Sequence, residues 1–71
     1  MNQAILFNDD YIYLTEQGCW HFTGMLSGAK ISIYIQCSDD VISDSLKFDL
    51  EAQVEDFLEE DEPDENNVIR L

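Results

Sequence analysis

Residues 19–37 read CWHFTGMLSGAKISIYIQC, and this stretch decides the fold. Apolar side chains alternate along it on both sides of Ser27-Gly28, which is the period of a strand buried on one face. A two-residue turn at Ser27-Gly28 predicts an antiparallel hairpin in which every core-facing position opposes an apolar residue or glycine. The predicted pairs are Leu26 with Ala29, Gly24 with Ile31, Phe22 with Ile33 and Trp20 with Ile35. A slip of one residue would set Trp20 against Gln36, so the pattern favours this register.

Two more strands are predicted ahead of the hairpin. Residues 11–15 alternate, and a three-residue loop at 16–18 with glycine at its left-handed position would pair Leu14 with Trp20 and Ile12 with Phe22. A stretch from Gln3 to Phe7 adds an edge strand that turns at residues 8–10. In this register Cys19 lies on the outer face and Cys37 on the core face, beyond the reach of a disulfide, so both thiols are expected to be reduced.

After Cys37 the apolar period changes to that of a helix. Ser38 is a candidate N-cap, followed by two acids and a short stripe at Val41, Ile42 and Leu46. Asp49 is a second candidate N-cap, ahead of an amphipathic stripe that consists of Leu50, Val54, Phe57 and Leu58. The sequence thus predicts one or two helices that pack on one face of the sheet.

These elements predict an α+β fold, an antiparallel meander of three or four strands with one or two helices on one face. We expect one domain over residues 1–62 and an acidic and apolar tail over residues 63–71. For residues 68–71 three forms remain open, namely a last edge strand, a packed tail or a frayed end.

Charge is distributed unevenly along the chain. Residues 39–71 hold 13 of the 16 acidic side chains against Lys47 and Arg70, a net charge of −11, whereas residues 1–38 carry only −2. Charge of one sign on one part of a domain selects partners of the opposite sign. A basic protein surface is therefore the expected partner, and direct binding to nucleic acid or anionic lipid is not expected. The sequence has neither a signal-peptide pattern nor an apolar run of about 18 residues, so a cytoplasmic location is expected.

The predicted acidic helix is the first candidate partner-binding surface. Three interpretations of this helix remain open. It is a solvated face that aids solubility, a contact with some other protein, or a mimic of nucleic-acid phosphates. A helix from Leu50 to Glu62 would be about 18 Å long. Duplex DNA carries about 11 charges over that length, about half of them facing one partner, so the charge densities of the helix and of DNA are similar. The seven acids are Glu51, Glu55, Asp56, Glu59, Glu60, Asp61 and Glu62.

The outer face of the sheet is the alternative partner-binding surface. The predicted register aligns Tyr13, His21 and Tyr34 across three strands. Such a row suits a protein contact or self-association, hence a possible homodimer, because tyrosine is enriched in interfaces. An equally good interpretation is that these residues form cross-strand pairs that only stabilise the sheet.

Catalysis, metals and cofactors are not expected. Cys19 and His21 with Cys37 supply too few zinc ligands once the register separates the two thiols. The chain has one histidine and no nucleophile elbow or phosphate loop. We therefore expect a non-enzymatic protein without a cofactor or metal.

Three stretches carry a resemblance to a known family: MNQAILF at residues 1–7, CWHF at 19–22 and LSGAKI at 26–31. They resemble a family of small proteobacterial proteins of unknown function that open Met-Asn-Gln-x-Ile-x-Phe. The resemblance covers about the first half of the chain, implies an α+β fold and supplies no functional residues. The chain departs from this family where the acidic helix replaces a longer C-terminal part of mixed charge. In size and charge it is similar to acidic proteins of mobile elements that block DNA-binding defences, such as anti-CRISPR and anti-restriction proteins.

Overall fold

A computed structural model describes residues 5–71. The strands are β1 (Ile5–Phe7), β2 (Ile12–Leu14), β3 (Cys19–Leu26), β4 (Ala29–Gln36) and β5 (Val68–Arg70), and one helix, α1 (Asp44–Glu60), lies between β4 and β5. They form a mixed sheet of five strands, mostly antiparallel, with α1 packed on one face. This is the α+β fold that the sequence predicts. The predicted edge strand is described from Ile5 onward, and Gln3 lies outside the described residues.

The central hairpin has the predicted register. Trp20 opposes Ile35, Phe22 opposes Ile33, and the pairing continues without a break to Leu26 and Ala29. Ser27 and Gly28 both have positive φ, +52° and +83°, as a two-residue turn of this twist requires. The confirmed register places six of the core side chains on one face of β3 and β4, where α1 covers them.

The register predicted for β2 was wrong by one residue. Leu14 opposes Cys19 and Tyr13 opposes Trp20, so the loop contains four residues rather than three. Gln17 and Gly18 both donate their backbone N–H to the Leu14 carbonyl, and Gly18 has a φ of +64°. A one-residue shift exchanges the two faces of a strand. Tyr13 therefore packs against Trp20 on the core side, with ring centroids 5.2 Å apart.

Strands β1 and β2 pair with opposite ends of β3 along the same edge. Between them the Asn8 N–H still donates to the Thr23 carbonyl at 3.0 Å, and side chains supply further hydrogen bonds to β3. Asp10 accepts the backbone N–H of Thr23 at 2.8 Å, and the Asn8 amide group donates to the Thr23 hydroxyl at 2.9 Å. The connection at residues 8–11 is thus fixed to β3, and the Tyr11 ring reaches the core beside Phe22, at 4.6 Å between centroids.

The helix begins between the two candidate N-caps of the sequence, after Ser38 and before Asp49. Ser43 is its N-cap, with the hydroxyl oxygen accepting the Leu46 N–H at 3.1 Å. Ser38 lies in the preceding loop, which is held out of helical geometry because the Trp20 indole N–H donates to the Asp39 carbonyl at 2.7 Å. Asp49, the other candidate N-cap, lies inside α1. One continuous helix therefore takes the place of the two predicted helical segments.

Residues 68–70 adopt the edge-strand form, one of the three that the sequence left open. They form β5, which runs parallel to β4, with Ile69 opposite Ile33. Ile69 is 1% exposed and belongs to the core cluster, together with Leu50, Val54 and Leu58 of α1. Because α1 connects two parallel neighbouring strands, its buried stripe lies across the sheet and its other side faces solvent. Both cysteines are free, as predicted.

Candidate protein-interaction surfaces

The outward side of α1 carries an acidic arc. It consists of five exposed carboxylates, Asp49, Glu55, Asp56, Glu59 and Glu60. At 100° per residue they fall within about 140° of the helix circumference. The buried stripe of Leu50, Val54 and Leu58 lies on the other side and holds the helix on the sheet. The fold therefore orders these acids on one outward-facing surface, which includes four of the seven sequence-predicted acids.

Glu51 is the predicted site residue within α1 that does not join the arc. It is half-buried and accepts a hydrogen bond from the Tyr11 hydroxyl. Burial raises the pKa of Tyr11 well above its usual value, and the bond to Glu51 and nearby carboxylates raise it further. Glu51 thus fastens α1 to the connection at residues 8–11. Sequence spacing alone could not reveal this role, because the partner lies 40 residues away.

The remaining two predicted acids lie just past the helix. Asp61 is the C-cap and donates its backbone N–H to the Phe57 carbonyl at 2.9 Å, and Glu62 follows it. Both side chains are exposed. No basic residue occupies the last turn of α1, so the negative end of the helix dipole coincides with Glu59, Glu60 and Asp61. The negative potential is therefore strongest at this end.

The three basic side chains of the protein lie away from the acidic arc. Lys47 pairs with Asp9 at 2.8 Å between Nζ and Oδ1, and its ammonium group lies 5.4 Å from the centre of the Tyr11 ring. The hydrogen bond to Asp9 raises the pKa of Lys47. Lys30 and Arg70 are in strands β4 and β5. The arc consequently has no counter-charge of its own among these side chains.

The face of the sheet opposite α1 is a second surface, here called the open sheet face. The register places on it Leu6, Ile12, Leu14, Met25, Lys30, Tyr34, Val68 and Arg70, with His21. Leu6 is 72% and Ile12 57% exposed. None of the strand residues in the described part of the chain is an aspartate or glutamate. The same register also places the polar Thr23, Ser32 and Gln36 on this face, so its strands present apolar, polar and basic side chains.

A cross-strand row occupies the open sheet face. Ile12 opposes His21, His21 opposes Tyr34, and Tyr34 opposes Arg70. The His21 and Tyr34 rings stack at 4.5 Å, and the Arg70 guanidinium lies 4.8 Å from the centre of the Tyr34 ring. The predicted Tyr13–His21–Tyr34 row is thus only partly formed: Ile12 occupies the position assigned to Tyr13, which faces the core. Among the described residues, His21 Nε2 is buried without a hydrogen-bond partner.

Asp10 lies at the margin of the open sheet face. Burial would raise the pKa of its carboxyl group, but hydrogen bonds from the Thr23 hydroxyl and backbone outweigh burial and hold the pKa below its usual value. The positive charge of a protonated His21 acts in the same direction. Asp10 is therefore an ionised structural group whose hydrogen bonds are directed inward to Thr23.

Two further features of residues 5–71 bear on the kind of site. No group of three or more histidine, cysteine, aspartate or glutamate side chains among them is placed to hold a metal ion. The helix in this part of the chain is neither long enough nor apolar enough to cross a membrane.

Comparison with known proteins identifies a similar fold. No protein-family model matches the chain, and no curated protein matches it. The structure is similar to the crystal structure, at 1.60 Å resolution, of a protein of unknown function from the DUF1488 family of Shewanella loihica PV-4. The TM-score is 0.70 at 23% sequence identity, over 100% of this chain and 94% of that one. The likeness shows a shared fold with a small proteobacterial protein of unknown function and carries no activity to this chain.

Proposed function

We propose that this protein is a non-enzymatic binding protein whose acidic arc docks on a basic protein surface, in the cytoplasm. The observation that carries the proposal is the ordered arc itself: five carboxylates on one side of α1, with no basic side chain beside them. Like charges at this spacing destabilise an isolated helix, and acids at its C-terminal end oppose the helix dipole. The arrangement therefore destabilises the helix on its own, and a cationic partner would reduce the repulsion between the carboxylates.

The finer proposal is that the partner's basic surface is its nucleic-acid site, so that the protein acts as a decoy of the anti-CRISPR or anti-restriction type. From Asp49 to Glu60 the helix extends about 17 Å. Duplex DNA carries about 10 phosphate charges over that length, about half of them turned towards one partner. The arc presents five, and Asp61 and Glu62 continue it beyond the helix. A partner protein whose surface binds DNA would therefore encounter a similar density of negative charge on this helix.

A capture experiment tests both levels of this proposal. The full chain is immobilised, host lysate is passed over it, and retained proteins are released by a salt gradient. We expect release at moderate salt, because screening weakens contacts between exposed charges. We also expect the retained protein to bind duplex DNA by itself and this chain to displace that DNA. A retained protein that binds no DNA would contradict the decoy, and retention unaffected by salt would contradict the electrostatic contact.

Two pairs of substitutions test whether the contact lies on the arc. Glu55→Gln with Glu59→Gln removes two charges from the arc, and Glu16→Gln with Glu65→Gln removes two exposed charges elsewhere. Because the net charge changes equally, general electrostatic attraction is matched between the pairs. We expect the arc pair to weaken binding by about tenfold or more and the control pair by about twofold at most. Equal losses would mean that net charge, and not this surface, drives binding.

A second candidate function is a small assembly protein that makes its contact through the open sheet face, with the acids serving only solubility. The exposed Leu6 and Ile12, on a face whose described strand residues include no aspartate or glutamate, favour it. Tyr34→Ala would abolish such a contact and leave the acidic arc unchanged. Partner binding that is lost with Tyr34→Ala but retained with Glu55→Gln and Glu59→Gln would support this second function over the first.

A further inference from the structure

We infer that Phe48 is an aromatic anchor within the acidic arc and that an arginine side chain of the basic partner stacks on its ring. The inference deepens the proposed function and rests on it, because it requires a cationic protein surface that docks on the arc. Phe48 is 74% exposed. In the described part of the chain it belongs neither to the core cluster nor to the apolar residues packed against that cluster. The fold therefore leaves this ring available to a partner.

The position of Phe48 on α1 places it among the carboxylates of the arc. At 100° per residue it lies between Glu55 and Glu59, about 20° from each around the helix axis. The buried stripe that holds α1 on the sheet is on the other side. A basic surface that docks on the arc would therefore meet the Phe48 ring as well as the acids.

The neighbours of the ring leave room for a flat group. Ser45 lies three residues before Phe48 and Ala52 four residues after it, so both short side chains are on the same face of the helix. Asp44, one turn towards the N-terminus, is exposed. Because helical side chains lean towards the N-terminus, the ring extends over the turn that contains Asp44. A group stacked on the ring would thus have a carboxylate at its edge.

Apolar surface continues beyond the ring at this end of α1. Val41 and Ile42, which directly precede the N-cap Ser43, are both exposed. The aliphatic stem of a long basic side chain can lie on apolar surface while its charged head contacts a ring or a carboxylate. Phe48 is therefore part of a mixed apolar and acidic end of the helix.

The chemistry of this end favours arginine as the occupant. A guanidinium group is planar, stacks on aromatic rings and donates forked hydrogen bonds to carboxylates. It is also less strongly hydrated than the ammonium group of lysine, so contact with an apolar ring costs it less. An uncharged pocket on the partner would cover the neighbouring acids without a counter-charge, which is unfavourable. Lys47, the preceding residue of the chain, is paired with Asp9 at 2.8 Å.

Fluorescence polarisation with two labelled peptides, hexa-arginine and hexa-lysine, tests the inference on the full chain. Both peptides carry the same charge, so general attraction to the arc is matched. We expect Phe48→Leu to weaken binding of hexa-arginine about two- to fivefold, which corresponds to about 0.5–1 kcal/mol for an exposed cation–π contact. Binding of hexa-lysine should change much less. Phe48→Trp is the matched control, and it should bind hexa-arginine at least as tightly as the wild type because tryptophan is the best ring for this contact.

The contrary results separate this inference from the proposed function. Unchanged binding of hexa-arginine by Phe48→Leu would overturn the role of Phe48, and an equal loss for both peptides would overturn the assignment of arginine. Neither result affects the proposed function, which requires that Glu55→Gln with Glu59→Gln weakens both peptides. If that pair leaves both affinities unchanged, or if the wild type binds neither peptide, the electrostatic contact fails and this inference fails with it. Circular dichroism establishes that the variants are folded.

Discussion

Tyr11 joins the first part of the chain to the helix through both its ring and its hydroxyl. Its ring packs beside Phe22, and its hydroxyl donates to Glu51. Tyr11→Phe keeps the ring contact and removes the bond to a charged acceptor. We expect it to lower the free energy of unfolding at neutral pH by about 1–2 kcal/mol, measured by urea denaturation.

The pH dependence of this loss gives a second test of the same contact. The folded state raises the pKa of Tyr11 above its ordinary value of 10.0. Below pH 10 the hydroxyl is protonated in both the folded and the unfolded chain, and its contribution to stability is complete. Above pH 10 the unfolded chain releases the proton while the folded chain retains it, so stability is lost as the pH rises. The difference between wild type and Tyr11→Phe should therefore shrink between pH 9 and 11, and a constant difference would contradict the hydrogen bond.

At the scale of elements, the start of α1 offers a sharp comparison between two serines. Ser43 accepts the Leu46 N–H, whereas Ser38 lies in the loop before the helix. Ser43→Ala should lower the free energy of unfolding by about 1 kcal/mol, the usual cost of an N-cap serine. Ser38→Ala should change it by much less. Thermal melts of the two variants measure the difference, and equal losses would mean that the helix does not begin at Ser43.

The central hairpin could be predicted because two independent local signals agree there. Alternation of apolar side chains sets the buried face of β3 and β4, and Ser27-Gly28 sets the turn. The register of β2, the strand before this hairpin, could not be predicted in the same way. In residues 11–14 the tyrosines and the aliphatic residues are both suited to a core face, so alternation does not distinguish the two registers. Tyr11 and Tyr13 take the core face, and Ile12 faces solvent.

Elements fixed by distant contacts were less accessible to prediction. Both Ser38 and Ser43 precede acidic residues, so capping chemistry alone does not choose between them. The choice follows from the Trp20 bond to the Asp39 carbonyl, which holds the loop out of the helix. Likewise, β5 forms because Ile69 completes the core beside Ile33. Of the candidate acidic surface, the outward position of the arc followed from the helical period, but the separate role of Glu51 depended on Tyr11.

At the scale of the whole molecule, self-repulsion limits stability. A net charge of −13 is confined within a radius of gyration of 11.5 Å, a distance close to the Debye length of about 10 Å at 0.1 M salt. Unfolding separates these charges, so screening them stabilises the folded state. The Lys47–Asp9 pair lies at the surface, where an ion pair contributes little to stability, so its weakening in salt cannot reverse the trend.

We therefore expect the melting temperature to rise by several degrees between low salt and about 0.5 M NaCl, since 1 kcal/mol corresponds to about 4–8 °C in a domain of this size. Measurement at low protein concentration separates screening from any gain through dimer formation, because only the latter depends on concentration. The variant with Glu55→Gln and Glu59→Gln should begin at a higher melting temperature in low salt and respond less to NaCl, since part of the repulsion is already removed. A melting temperature that falls as NaCl is added would mean that attractive ion pairs, and not repulsion within the acidic part of the chain, dominate the electrostatic free energy of folding.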